Sequence, residues 1–241
     1  MKKWILTALC FPFFAHADLA LDLLKESDKA RGSVEKGITW TSEVETREGD
    51  DVNTREFRVR AKGVDAHVEA LQPARNKGEI YLFNDRNMWF FKPSLKKPVA
   101  ISARQKLSGQ AANGDIASTH YSRDYTPTLE GTEVVDGDKT HVLLLKAKAN
   151  NLTYDQIRYW ISDKTKRAVK AEFLTPQGQV FKRASMKYEN RLPVDGRDIL
   201  FVSEVEISDA KMEKNKSIIR YKEPKMQEHP ASLFNINNLK R

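Results

Sequence analysis

The feature that most constrains this fold is a two-residue alternation of apolar and polar side chains that recurs along most of the chain. In the first such segment, Ile38, Trp40 and Val44 alternate with threonine and glutamate residues. In the second, Phe57, Val59 and Ala61 alternate with Arg58, Arg60 and Lys62. A period of two is typical of a strand with one buried face, so the pattern predicts β-strands here.

Short segments of similar character follow at a spacing of roughly ten residues. We predict further strands at 65–71, 79–84, 87–92, 97–102, 129–135, 140–148, 154–162, 167–174, 179–189, 198–207 and 216–222. Turn sequences such as Asp136-Gly137-Asp138 and Pro176-Gln177-Gly178 separate most of them. Consecutive short strands with tight turns predict a mostly β (α+β) fold, with an antiparallel meander rolled into a barrel, a half-barrel or a sandwich.

Two segments depart from this pattern. Residues 19–24 are rich in leucine, with Asp18 as a predicted helix cap and Gly32 as the end of that helix. Residues 103–126 are small and polar, and we predict a short helix around Ala103–Gly109 within them. A loop of this length inside a compact domain is usually functional. The C-terminal tail offers four anchors onto the sheet: Leu233, Phe234, Ile236 and Leu239.

The N-terminus has the pattern of an export signal. Lys2 and Lys3 precede an apolar run over 4–14, and Ala15-His16-Ala17 matches the A-x-A cleavage pattern. Cleavage after Ala17 would leave a single domain over 18–241 in the periplasm. The only cysteine, Cys10, lies inside this signal, so the mature chain is predicted to lack disulfides and cysteine metal sites.

The charge balance bears on possible partners. The 41 basic and 33 acidic residues give a net charge of +8, and removal of Lys2 and Lys3 leaves 39 against 33, or +6. Because the chain is predicted to be exported, nucleic acid is not an expected partner. Anionic phospholipid surfaces or an acidic protein are the expected counterparts. The protein is expected to be a monomer.

The sequence carries few signs of catalysis. The four histidines after the signal have no paired-ligand spacing, and neither a nucleophile elbow nor a glycine-rich phosphate loop is present. We therefore predict no catalytic residue, no metal and no cofactor. The one cluster that could act as acid and base is Asp115, His120 and Asp124. Without an accompanying nucleophile, capping and turn roles explain these residues better.

Apolar side chains on both faces of 87–91 and 142–145 must be covered by protein or by a ligand. A curved sheet whose inner face is not filled by protein could hold acyl chains. The alternative is that these residues belong to the hydrophobic core. The predicted cavity lining is Trp40, Val44, Phe57, Val59, Trp89 and Phe91. The predicted lid loop contains Gly109, Gly114, Asp115, Tyr121 and Tyr125. A basic rim is predicted at Lys92, Lys96 and Lys97, near Arg104 and Lys106.

One stretch resembles a known family. It reads Met88-Trp89-Phe90-Phe91-Lys92-Pro93-Ser94-Leu95-Lys96-Lys97-Pro98, followed by Ile101-Ser102, and later Gly114-Asp115-Ile116, Tyr121 and Asp124-Tyr125. The first part resembles the M-W-hydrophobic-x-P-x-L-x-K/R block of the LolA-like outer-membrane lipoprotein-sorting proteins. The second part is similar to the loop that follows that block in the family, with Ile116 in place of the usual aromatic residue.

This resemblance implies an unclosed antiparallel β-barrel with helices packed into its concave face. It implies a carrier of acyl chains that receives cargo from an inner-membrane transporter and delivers it to an outer-membrane acceptor. The block is similar to that of a divergent branch often associated with resistance–nodulation–division (RND)-type exporters. Two alternatives stay open: a non-catalytic envelope sensor or accessory subunit of an inner-membrane exporter, and an enzyme acting on envelope lipids.

Overall fold

The computed structural model of the protein describes residues 13–117, 119–194 and 196–239, and most of these residues are in β-strands. The strands are β1 (Ile38–Glu48), β2 (Asp51–Lys62), β3 (Asp65–Gln72), β4 (Ile80–Asn84), β5 (Asn87–Phe91), β6 (Val99–Ile101), β7 (Lys106–Ser108), β8 (Ala111–Ala112), β9 (Tyr125–Val135), β10 (Asp138–Ala147), β11 (Gln156–Ser162), β12 (Ala168–Leu174), β13 (Val180–Lys187), β14 (Asn190–Val194), β15 (Arg197–Phe201), β16 (Glu204–Asp209) and β17 (Lys216–Met226). The helices are α1 (Phe13–Lys29) and α2 (Tyr121–Asp124). Single 3-10 turns occupy Ala74–Asn76, Asn113–Ile116, Ala231–Phe234 and Ile236–Leu239.

Thirteen strands form one antiparallel sheet in the order β6-β5-β4-β3-β2-β1-β17-β16-β13-β12-β11-β10-β9. Hairpins build each half, and β1 pairs with β17 to join the two halves in the middle. The edge strands are β6 and β9, which are not paired with each other. The hairpins β7–β8 and β14–β15 stay outside this sheet. The sheet is therefore not closed into a barrel.

One face of the sheet, called here the inner face, carries the larger apolar cluster. Val59 from one half and Leu143 from the other half are fully buried in this same cluster. Leu24 of α1 is also fully buried in it. Because side chains from both halves meet around one helix, the sheet must curve around the inner face. This arrangement confirms the predicted half-barrel with a helix on its concave side.

The opposite face, called here the outer face, carries a smaller cluster near β4 and β5. Leu82 and Phe91 pack there with Phe234 and Leu239 of the C-terminal tail. Leu233 and Ile236 are partly buried against the same cluster. The prediction that the tail anchors onto the sheet is confirmed, and it anchors on the outer face.

Several local predictions differ from the structure. Asp18 lies inside α1 rather than at its cap, because the helix begins at Phe13. The helix predicted around Ala103–Gly109 is wrong: this part forms a turn and strand β7, which pairs with β8. The strand predicted at 198–207 is two strands, β15 and β16, and β14 was not predicted.

Residues 1–12, with most of the predicted signal and Cys10, lie outside the described residues. No helix in the described part of the chain is long and apolar enough to cross a membrane.

Candidate functional site

Four of the six predicted lining residues come together on the inner face. Trp40, Val44, Phe57 and Val59 are at most 1% exposed and belong to the same apolar cluster. The register pairs Trp40 with Val59, so these two side chains share a face of the sheet. The alternating pattern of β1 and β2 is sufficient to place these side chains, since each strand has only one apolar face.

The other two predicted lining residues lie on the outer face. Trp89 pairs with Leu82 across β4 and β5, and all three of Leu82, Trp89 and Phe91 contribute to the outer cluster. The β5 residues that belong to the inner cluster are Met88 and Phe90. The prediction that Trp89 and Phe91 line the inner face is therefore wrong by one position along the strand. Since both faces of β5 are apolar, the sequence pattern could not distinguish them.

The inner face is covered by the segment 102–124, called here the plug segment. Leu107, Ala111, Ile116 and Ala117 of this segment are buried in the inner cluster. The plug segment contains β7, β8, a 3-10 turn and α2, and none of these pairs with the 13-stranded sheet. It is therefore a packed insert that could leave the inner face without breaking the main strand ladder.

The tip of the plug segment is held against the middle of the sheet. The Ser217 hydroxyl of β17 accepts hydrogen bonds from the backbone N–H groups of Gln110 (2.8 Å) and Ala111 (3.2 Å), and it donates to Ser108 O (2.9 Å). Gly109 has φ +55° and lies so close that a Cβ there would come 2.5 Å from Ser217 Oγ. Lys182 donates to Gln110 O at 2.6 Å. Position 109 therefore accommodates only glycine.

The middle of the plug segment is held by the loop before β11. The Asp115 carboxylate accepts hydrogen bonds from the Tyr154 hydroxyl and from the Ala112 N–H, both at 2.8 Å. Burial raises the pKa of Asp115 above its usual value. A Cβ on Gly114 would overlap the side chain of Thr153. These contacts hold the 3-10 turn against the loop before β11.

The end of the plug segment is held by α1 through a buried carboxylate. Asp28 is 1% exposed, and its Oδ2 accepts hydrogen bonds from the N–H and the hydroxyl of Ser122, both at 2.8 Å. Burial raises the pKa of Asp28 to about 7. One turn later, Arg31 donates to the Tyr159 hydroxyl at 3.1 Å. Sequence reasoning did not identify Asp28 or Arg31, because nothing in a helical pattern distinguishes a buried aspartate from an exposed one.

A polar clasp beside α2 links the two halves of the half-barrel. Arg86 pairs with Asp124 at 3.0 Å, and Arg123 pairs with Asp85 at 2.8 Å. The Asn151 side-chain amide donates to Arg86 O at 3.0 Å. These contacts join the β4–β5 turn of one half to α2 and to the loop between β10 and β11 of the other half, so they bridge the seam between the two unpaired ends of the sheet, which stays open.

A cavity of about 80 Å³ lies under this clasp. Its lining includes Ala66, Met88, Asp115, Tyr121, Tyr125 and Leu152. Ligand pockets usually measure about 300–1,000 Å³. Among the described residues, this cavity is therefore smaller than a usual ligand pocket, and the plug segment and the clasp cover it.

We expect Arg123→Ala to loosen the seam with little loss of global stability. Arg123 pairs with partly exposed Asp85 and with Asp124, which keeps Arg86 as a second partner, so the lost pairings are worth about 1 kcal/mol. Amide hydrogen exchange should become faster in the β4–β5 turn and in α2. Arg183→Ala, which removes ion pairs to Glu172 and Glu213 away from the seam, is the control. Equal rates of amide hydrogen exchange in the β4–β5 turn and α2 of the two variants would contradict the role of these ion pairs as a clasp.

The predicted basic rim does not line this cavity. Lys92, Lys96 and Lys97 are exposed in the turn between β5 and β6, which lies at the opposite end of β5 from the clasp. Arg104 pairs with Asp155 at 2.7 Å, and Lys106 pairs with Glu48 at 2.7 Å. The three lysines therefore need an explanation of their own.

The three residues of the enzyme hypothesis all line the cavity but bond to different partners. Asp115 binds Tyr154, Asp124 pairs with Arg86 and Arg123, and His120 Nδ1 is 3.0 Å from Ser33 Oγ. Burial, with Arg123 nearby, lowers the pKa of His120 to about 4, so its ring is neutral at pH 7. These contacts are structural in character. Among the residues that the structure describes, no cluster of three His, Cys, Asp or Glu side chains could hold a metal ion.

Solved structures with the same architecture identify the relatives of this fold. A LolA superfamily protein from Nitrosomonas europaea is 27% identical, with a TM-score of 0.81 over 91% of this chain and 98% of that one. A domain from Vibrio parahaemolyticus, described as an outer membrane lipoprotein-sorting protein domain, is 21% identical. Its TM-score is 0.77, and the match covers 93% of this chain and 100% of that one. A DUF1329 family protein from Desulfovibrio piger is 19% identical, with a TM-score of 0.77; the match covers 93% of this chain and 99% of that one.

No curated protein sequence matches the chain. A family model whose description reads "uncharacterized protein" matches residues 63–241. That match covers most of the chain, and the half-barrel with its covered inner face agrees with the architecture of the LolA superfamily protein. The chain therefore belongs to the family of this model, and its fold is that of the LolA superfamily.

Proposed function

We propose that the protein is a non-enzymatic periplasmic carrier that binds the acyl chains of a lipoprotein or lipid on its inner face. It would be exported by the signal over residues 1–17 and act as the single domain 18–241. It would take cargo from an inner-membrane transporter, for which the resemblance of the 88–98 block implies the RND type, and pass it to an outer-membrane acceptor. The 27% identity to a LolA superfamily protein supports this proposal.

The observation that carries the proposal is the construction of the inner face. Its largest apolar cluster lies under a segment that adds no strand to the main sheet. Such a cover can be exchanged for acyl chains, and each methylene that is buried contributes about 0.8 kcal/mol. Phe57, Val59 and Ile116 are fully buried at this interface and are the residues that we expect cargo to contact.

The test is native mass spectrometry of the protein purified from the periplasm, followed by organic extraction of whatever accompanies it. We expect a bound acylated species that competing lipid displaces. The extract would then identify the cargo class. A mass without ligand, unchanged after incubation with phospholipids and with acylated lipoproteins, would contradict the carrier. Stable capture of one envelope protein in that case would favour the sensor or accessory-subunit alternative.

A further inference from the structure

Near the β6 edge, the outer face combines exposed lysines with partly buried apolar side chains. Trp89 and Leu95 pack against the outer cluster without being fully covered. The turn between β5 and β6 carries three exposed lysines beside them. We call this surface the outer patch and define it by six residues: Trp89, Lys92, Leu95, Lys96, Lys97 and Ile236.

The three lysines of the outer patch have no acidic neighbours along the chain and no ion-pair partners in the described residues. No aspartate or glutamate occurs between Arg86 and Asp115, and the tail over 229–239 contains no aspartate, glutamate, lysine or arginine. Within the described parts of the chain, no ion pair involves any of the three lysines of the patch. Arg104 and Lys106, farther along the same stretch, do have carboxylate partners.

Trp89 differs from the other tryptophans that the structure describes. Trp40 and Trp160 are 1% and 2% exposed, and their indole N–H groups donate to Ser42 and Glu133. Trp89 is partly exposed, and its indole N–H has no hydrogen-bond partner in the described ranges. A tryptophan with an apolar body and a free polar edge suits the boundary between water and lipid.

Two grooves flank the tail where it crosses the outer face. One has a volume of about 760 Å³; Trp89, Phe234 and Ile236 line one part of it, and Lys62, Glu35 and Asp65 line another. The other has a volume of about 420 Å³, and its lining includes Phe91 and Leu233. Both are much larger than the inner cavity. They give the outer face recesses in which the glycerol or upper acyl region of a lipid could lie.

We propose that the outer patch docks the protein onto an anionic phospholipid surface. Trp89 enters the interface, while Lys92, Lys96 and Lys97 lie beside the phosphates. Lysines near an anionic membrane contribute about 1 kcal/mol each, and a diffuse surface suits mobile lysines better than a partner that requires bidentate geometry. Lysines also protect an edge strand from pairing, but that role needs no partly exposed tryptophan beside them. The docking site is separate from the proposed cargo site on the inner face.

The test is sedimentation of the purified protein with phosphatidylcholine vesicles that contain or lack phosphatidylglycerol. We expect binding only when phosphatidylglycerol is present and weakening of that binding by added salt. The triple variant K92Q/K96Q/K97Q should bind up to about 100-fold more weakly, since three contributions of about 1 kcal/mol are lost. The matched control K139Q/K164Q/K214Q removes the same charge from exposed lysines elsewhere and should bind like the unmodified protein.

Tryptophan fluorescence supplies an independent readout. Brominated phosphatidylglycerol should quench the unmodified protein, and Trp89→Phe should remove that quenching, since Trp40 and Trp160 are buried. Three outcomes would overturn the proposal: no binding to phosphatidylglycerol vesicles, equal weakening in the control triple variant, or quenching that survives Trp89→Phe. Capture of an acidic protein in the absence of any vesicle binding would instead assign the patch to a protein partner.

Discussion

A disulfide between the plug segment and the loop before β11 should abolish cargo binding. A Cβ atom on Gly114 would lie 3.1 Å from the Cβ of Thr153, and disulfides need a Cβ separation of about 3.5–4.5 Å. A shift of a few tenths of an ångström therefore suffices for Gly114→Cys with Thr153→Cys. The only native cysteine is Cys10, so the mature protein offers no competing thiol.

In the oxidised double variant, we expect the affinity for a fluorescent acyl-chain probe to fall by at least about 100-fold. The apparent dissociation constant rises as the fraction of molecules able to open falls. Reduction of the same sample should restore binding, so each preparation is its own control. The single variants Gly114→Cys and Thr153→Cys should not respond to reductant. Equal binding by the oxidised and reduced forms would show that the plug segment need not move.

Asp28→Asn should stabilise the protein at high pH and leave it unchanged at low pH. The pKa of Asp28 is raised from 3.8 to about 7 in the folded chain. A group with a raised folded pKa contributes stability that is fully present below the unfolded pKa. That stability is lost as the pH rises through the folded pKa. The shift of about three pH units corresponds to about 4 kcal/mol of unfolding free energy at pH 8.

The measurement is urea unfolding of both proteins from pH 4 to pH 8, followed by circular dichroism. The stability difference should grow steadily between pH 4 and pH 7, because the asparagine cannot ionise but still accepts from Ser122. The control is Asp155→Asn, since partly exposed Asp155 pairs with Arg104, which stays charged over this range, and the pKa of Asp155 is lowered by that pairing. That variant should show a constant difference over pH 5–8. If the stability difference between Asp28→Asn and the unmodified protein did not change with pH, the raised pKa of Asp28 would be contradicted.

The strands were predictable because their pattern is local. A period of two with polar turns predicts β1, β2 and β10 to β13 from their own residues. The tail anchors Phe234 and Leu239 were also predictable, since an apolar residue in a polar tail has few other uses. The small, polar residues of segment 103–126 distinguish it from the strands, but they do not predict the β7–β8 hairpin within it. β7 and β8 are only three and two residues long, which is too short for a pattern to develop.

The candidate site was predictable in part for the same reason. Trp40, Val44, Phe57 and Val59 each lie on a strand with one apolar face, so their shared burial followed from the alternation. Asp28 illustrates the opposite case, because its burial depends on α2 packing over it from a segment more than ninety residues away.

The sequence by itself determined that this chain forms a long antiparallel meander with a covered, apolar inner face. The tertiary structure alone decided which side of β5 faces inward, and therefore that Met88 and Phe90 are inside and Trp89 and Phe91 outside. It also decided that the plug segment fills the inner face. The physical reason is that alternation places side chains on two faces, but only the elements packed against each face determine which face is covered and by what.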